Sequence, residues 1–192
     1  LELITLLSDC NDKKPKTLEE AGVYLFMEDF CRSSCASAIR FVLEKNLLPQ
    51  SIRPDYLTFV INSPGGDVNS CFALIDTMRG SAIPVYTVGI GLIASAGLNL
   101  FMAGAKGHRL ITPNTSILSH TFSWGSYGKS HELFAAVKEF DLTQKRILEH
   151  YKKCTGLTEK KIKEKLLPPE DIWLDAEEAV DLGIADKIVT SY

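Results

Sequence analysis

Apolar and polar positions along this chain alternate between two periods. Short apolar blocks, Gly22 to Met27, Tyr56 to Ile61 and Val85 to Ile90, have the length and composition of buried strands. Between them lie amphipathic stretches. Ser33 to Lys45 predicts a helix with Ala36, Ile39, Phe41, Val42 and Leu43 on its apolar side, followed by a loop over Leu47 to Pro54. Asp67 predicts the cap of a helix running to Met78, with Val68, Cys71, Phe72 and Ile75 at helical spacing. Leu98 to Ala103 predicts another helix. Arg109 to Ile111 and Ser116 to Ser119 read as short strands around a Pro113-Asn114 turn. Strand and helix in this alternation predict right-handed βαβ units and a mainly parallel sheet.

The last third changes period. Ser130 to Tyr151 predicts one long helix, with Leu133, Val137, Phe140, Ile147, Leu148 and Tyr151 at near-helical spacing and Gly156 as its stop. Two readings fit so long a helix: packing on its own core, or a subunit interface. Thr158 to Lys165 predicts a charged short helix, and Ile172 to Leu174 a short apolar strand. Asp175 and Glu178 predict a capped final helix ending near Gly183, before a last strand over Ile184 to Val189.

At 192 residues with 45% hydrophobic content the chain buries a full core, and one domain over 1–192 is expected, with residues 1–20 as an N-terminal arm. A net charge of −3 gives no basic field for nucleic acid. No apolar run reaches membrane-spanning length, and Leu1 to Leu7 lacks the basic leader of a signal peptide. Five cysteines, an odd number at irregular spacing, argue for a reducing compartment. Cys31 and Cys35 stand one helical turn apart without a second pair, so packing thiols are expected there rather than a metal site.

Candidate chemistry centres on Ser95, in Gly91-Leu92-Ile93-Ala94-Ser95-Ala96-Gly97. It follows a strand and opens a helix, so its hydroxyl is presented at a corner beside free N–H groups, as a nucleophile requires. Ile61-Asn62-Ser63-Pro64-Gly65-Gly66 is a second strand-to-helix turn. It admits three readings: a plain turn, a phosphate loop (no Gly-Lys-Ser/Thr follows), or half of an oxyanion hole in which the Gly66 N–H works beside the Ala96 N–H. Of four histidines, His131 and His150 are expected on the solvated side of the long helix, and His108 in a turn. His120 ends a strand, where α/β sites assemble, and is the candidate base. Asp171 is the candidate acid to orient it, with Glu170 as its rival and Asp175 better used as a cap.

Together these segments resemble the ClpP family of self-compartmentalised serine proteases. The likeness rests on Ser63-Pro64-Gly65-Gly66, Ala94-Ser95-Ala96-Gly97, Ala105-Lys106-Gly107-His108-Arg109, Pro113-Asn114, His120 and Asp171-Ile172-Trp173-Leu174. It runs from about Val23 to Val189, with 29 residues from Gly66 to Ser95 and 25 from Ser95 to His120. It implies an α/β fold of ClpP/crotonase-like βαβ repeats with a protruding handle over about 121–156. It implies a Ser95–His120–Asp171 triad, an oxyanion hole of the Gly66 and Ala96 amides, and Trp124 to Gly128 as an extended strand lining a peptide groove. It further implies heptameric rings stacked into a tetradecamer, an AAA+ unfoldase that uses the ATP, no cofactor in this subunit, and residence in the cytoplasm or a plastid stroma. Thr121-Phe122 stand where the family usually has Gln-Pro, and residues 1–20 match its axial segment poorly. Two alternatives are a non-catalytic ring subunit and a crotonase-like acyl-CoA enzyme; Ser95 with His120 argues against the second.

Overall fold

The computed structural model describes residues 17–190. Cys10 and most of the expected N-terminal arm lie outside the described residues. The strands are β1 (Val23–Phe26), β2 (Leu57–Ser63), β3 (Val85–Ala94), β4 (Arg109–Ile111), β5 (Ser116–Ser119), β6 (Ile172–Leu174) and β7 (Lys187–Ile188). The helices are α1 (Arg32–Leu47), α2 (Val68–Gly80), α3 (Ala96–Met102), α4 (Ser130–Thr155), α5 (Glu159–Lys165) and α6 (Ala176–Asp181). The sheet runs β1-β2-β3-β4-β7 in parallel, as the alternating pattern predicts, and β5 also joins β3 in parallel. Only β6 is antiparallel, on β5. Covered on both faces, β2 is apolar and buried along nearly its whole length. Phe26, Leu57, Phe59, Ile61, Leu74, Ile75 and Phe101 form the centre of the core.

β3 continues four residues beyond its expected end at Ile90. Gly91, at φ 64°, bends the strand instead of ending it, and the Asn62 side chain accepts the Leu92 N–H at 3.1 Å across the bend. The two halves of β3 take different neighbours: Thr87 to Gly89 pair with β4, Leu92 to Ala94 with β5. This fork carries the chain to the site.

Helix ends follow local chemistry. Asp67 accepts the Ser70 N–H at 2.8 Å, Asp175 and Glu178 form a reciprocal capping box, and Gly156 closes α4 in the left-handed conformation. Cys31 departs from its expected packing role. It is exposed and caps α1, and hydrogen bonds with Ser33 and Ser34 pull its thiol down to about 7. Cys35, one turn on, is buried as expected.

α4 divides into two halves. Thr143, Ile147, His150, Tyr151 and Cys154 pack inward, whereas Leu133, Phe134 and Val137 stand in solvent. His131 is exposed as expected, but His150 is not solvated: it is buried at 3% exposure. Three residues after Ile147 and four before Cys154, it lies on the inward stripe, and that phase overrides its polarity.

Candidate active site

Ser95 leaves the end of β3 at φ 55° and ψ −116°, and among the described residues it is the only non-glycine with positive φ. Its N–H donates to Leu118 O at 3.0 Å, and its C=O accepts the Asn99 N–H at 3.1 Å. Its side chain makes no capping bond to the helix it opens, which leaves the hydroxyl available.

The Gly65-Gly66 loop lies directly against this turn. A Cβ on Gly65 would stand 2.7 Å from Ser95 Cβ and 3.1 Å from Ala96 N. Gly65 N–H is engaged by Ser63 Oγ at 3.2 Å, while Phe30 is bound on either side of Gly66, its N–H donating to Gly65 O and its C=O accepting from Asp67 N, both at 2.8 Å. Neither the Gly66 N–H nor the Ala96 N–H has an acceptor among the described residues. Two uncommitted amides beside a serine hydroxyl are the components of an anion-stabilising pocket.

His120 arrives through sheet register. Ala94 pairs with Leu118, so the residues following each strand emerge side by side. Ser119 pairs with Ile172 across the antiparallel partner, which brings Asp171 opposite His120. His120 Nδ1 is 3.8 Å from Asp171 Oδ1, within ion-pair range but beyond a hydrogen bond; the histidine side chain is 19% exposed and the aspartate 63%. Among the described residues no hydrogen bond joins Ser95 Oγ to His120. Glu170 is exposed and has no ion pair to His120. His108 lies apart, stacked on Tyr86 with centroids 3.8 Å apart. A cavity of about 310 Å³ is lined by Thr121 and Phe122, which follow His120 in sequence, together with Asp141, Lys145, Leu148 and Leu167; His120 itself does not line it.

Trp124 to Gly128 forms no strand: the segment is irregular, and Tyr127 is fully exposed. No strand among the described residues pairs with it. Trp124 instead packs on Phe140 of α4, centroids 5.1 Å apart. Sequence reasoning missed Asn99 and His150, which stand behind the serine turn. Asn99 is 6% exposed in the otherwise apolar run Leu98 to Met102, and that isolated polarity was the available signal.

Fold and site define a βαβ-repeat protein whose forked central strand gathers a hydroxyl, an imidazole, a carboxylate and two free amides. The profile of the Clp protease family matches residues 31–192. The ATP-dependent Clp protease proteolytic subunit 1 of Chlamydia caviae is 35% identical over 193 residues, 98% of this chain and 96% of that protein. Subunit 2 of Treponema denticola is 35% identical over 150 residues, covering 77% and 73%. A ClpP1 variant from Listeria monocytogenes superposes with a TM-score of 0.79 at 26% identity, covering 91% of this chain and 94% of that one. The chain belongs to the Clp protease family.

Proposed function

We propose that this chain is a proteolytic subunit of an ATP-dependent Clp protease that cleaves unfolded polypeptides as a serine endopeptidase. Ser95 attacks the peptide carbonyl. His120 takes its proton and passes it to the leaving amine, which leaves the acyl group on Ser95 Oγ; a water that gives its proton to His120 then displaces the acyl group as the carboxylate product, and the proton returns to Ser95. Asp171 fixes the histidine tautomer and stabilises the imidazolium, and the Gly66 and Ala96 amides receive the oxyanion. The observation that carries the reading is the strained Ser95 turn lying against the two unengaged amides.

The exposed apolar half of α4 would be covered in stacked heptameric rings, a tetradecamer, and Trp124 to Gly128 would become a strand when a peptide or neighbouring subunit pairs with it. An AAA+ unfoldase would supply substrate and consume ATP, leaving this subunit without a cofactor. Among the described residues no helix is long and apolar enough to cross a membrane. Membership of the Clp protease family supports the cytoplasm as this chain's compartment, with a plastid stroma as the alternative.

The 3.8 Å His120–Asp171 separation specifically favours one second reading, a ring subunit without catalysis of its own. A fluorophosphonate probe separates the two. Labelling of the assembled protein that disappears in Ser95→Ala, together with hydrolysis of a fluorogenic peptide, is the result expected of the protease. An unlabelled assembly would leave the scaffold.

A further inference from the structure

The Ser95 backbone conformation is strained and persists only where the surroundings enforce it. Part of the enforcement is the Leu118 carbonyl that holds Ser95 N–H. The rest comes from Asn99: its side-chain Nδ2 donates to Ser95 O at 3.2 Å, alongside its own backbone N–H.

Asn99 is an unfavourable residue to bury here. Its Oδ1 is inaccessible and has no hydrogen-bond partner among the described residues. Such an atom is destabilising, and an apolar side chain of the same shape would avoid that penalty. What the carboxamide adds is a second donor on the Ser95 carbonyl.

Asn99 is itself held from behind. Its backbone C=O, in the last turn of α3, is met by His150 Nε2 at 2.8 Å. The other ring nitrogen, Nδ1, faces Arg79 NH2 at 2.8 Å. A guanidinium only donates, so Nδ1 must accept and Nε2 must carry the proton. The Phe72 ring stands edge-on to the imidazole, centroids 5.8 Å apart. A continuous chain of hydrogen bonds therefore runs from Arg79 on α2, through His150 on α4 and Asn99 on α3, to the Ser95 carbonyl.

We propose that Asn99 and His150 are positioning residues, a hydrogen-bonded brace that holds the Ser95 turn in its reactive conformation. The inference rests on Ser95 being the nucleophile. The brace touches neither substrate nor the reacting hydroxyl; it sets where the hydroxyl points.

The test measures fluorophosphonate labelling rate at Ser95, peptide kcat and KM, thermal midpoint and assembly size in wild type, Asn99→Leu, Asn99→Asp, His150→Leu and His150→Gln. Asn99→Leu removes the donor together with the unpaired oxygen. Asn99→Asp keeps the shape and replaces the donor with an acceptor. Both are expected to lower labelling rate and kcat about tenfold or more with KM unchanged, and Asn99→Leu to do so without lowering the thermal midpoint. His150→Leu is expected to slow labelling, and His150→Gln, whose amide nitrogen reproduces the Nε2 donor, to restore it to within about twofold. Wild-type rates in both Asn99 variants, with wild type itself labelled, would overturn the brace and leave the nucleophile standing. So would losses that only track the thermal midpoint or assembly size. An unlabelled wild type would overturn both.

Discussion

His120 and Asp171, 51 positions apart in sequence, face each other across the β5–β6 pairing with Nδ1 and Oδ1 separated by 3.8 Å. The gap is longer than a hydrogen bond, and catalytic contacts commonly tighten only in the working complex. Asp171→Asn keeps the shape and removes the charge proposed to hold the imidazole. Peptide turnover is expected to fall about 10²–10⁴-fold with rings intact, read by a fluorogenic assay on sized material. Near-normal turnover would transfer the role to Glu170.

The loop against the serine is intolerant of any side chain. Gly65 has φ 105°, and a Cβ there would meet Ser95 Cβ at 2.7 Å and Ala94 O at 3.0 Å. Gly66 has φ 139°, and its Cβ would collide with the Phe30 carbonyl oxygen and stand 2.8 Å from Phe30 N. Gly65→Ala and Gly66→Ala are each expected to destabilise the fold by about 2 kcal/mol or more in urea unfolding. Activity should fall beyond that loss, since both displace backbone next to Ser95, the proposed nucleophile. A wild-type unfolding midpoint for either would show that the loop relaxes freely.

Period alone made β1, β2 and the helices legible, because their burial is one-sided or complete and no unusual backbone interrupts them. It failed where an element depends on something remote. Gly91 reads as a terminator, yet β3 continues because Asn62 and β5 satisfy its backbone beyond the bend. Cys31 does not read as a cap, since a thiol is a weak acceptor; only the adjoining serines make it one. Trp124 to Gly128 reads as a strand by resemblance, but no strand among the described residues pairs with it. At the site, Ser95 and the glycine pair announce themselves by small residues at strand ends. The juxtaposition of His120 with Asp171 does not, because it depends on strand register across 51 positions. His150 was legible in principle from the phase of its helix, where polarity misdirects.

The exposed face of α4 should matter to assembly and not to folding. Phe134 is 77% exposed and Val137 48%. Phe134→Ser is expected to change unfolding free energy by no more than about 0.5 kcal/mol. Native mass spectrometry should nonetheless show smaller assemblies than wild type. Unchanged assembly would place the interface elsewhere.

A buried ion pair ties the last strand to the sheet. Arg109, 2% exposed, meets Asp186 at 2.6 Å, and Asp186 also accepts the Gly107 and Arg109 N–H groups at 2.8 and 3.0 Å. Burial alone would raise the Asp186 carboxyl, but the Arg109 hydrogen bonds and charge outweigh it and hold it below the usual range. The stability it confers is therefore full above the unfolded carboxylate pKa, near 4, and is lost as pH falls through the lower folded value. Asp186→Asn is expected to destabilise by about 3 kcal/mol at pH 7, with the difference from wild type shrinking below about pH 4. A difference independent of pH would mean that the carboxylate charge contributes nothing.

His150 stays neutral to lower pH than an exposed histidine. Burial, then the neighbouring Arg79 guanidinium, bring it down to about 4, although the Asn99 carbonyl partly supports the charged form; Lys153 on its own helix adds further opposition. The unfolded imidazole takes up a proton near pH 6.5 and the folded one does not, so the unfolded state binds more protons between those values. Stability must then fall as pH drops through this window, by about 1.4 kcal/mol per unit once the unfolded group is fully protonated. His150→Gln removes the titrating group while keeping a donor for Asn99, so its unfolding free energy should be flatter than wild type between pH 6.5 and 4.5. The difference between the two urea-unfolding series isolates His150 from the carboxylates, which titrate in both. Parallel curves would mean that the folded imidazole charges freely, and that Arg79 does not hold it in the neutral tautomer.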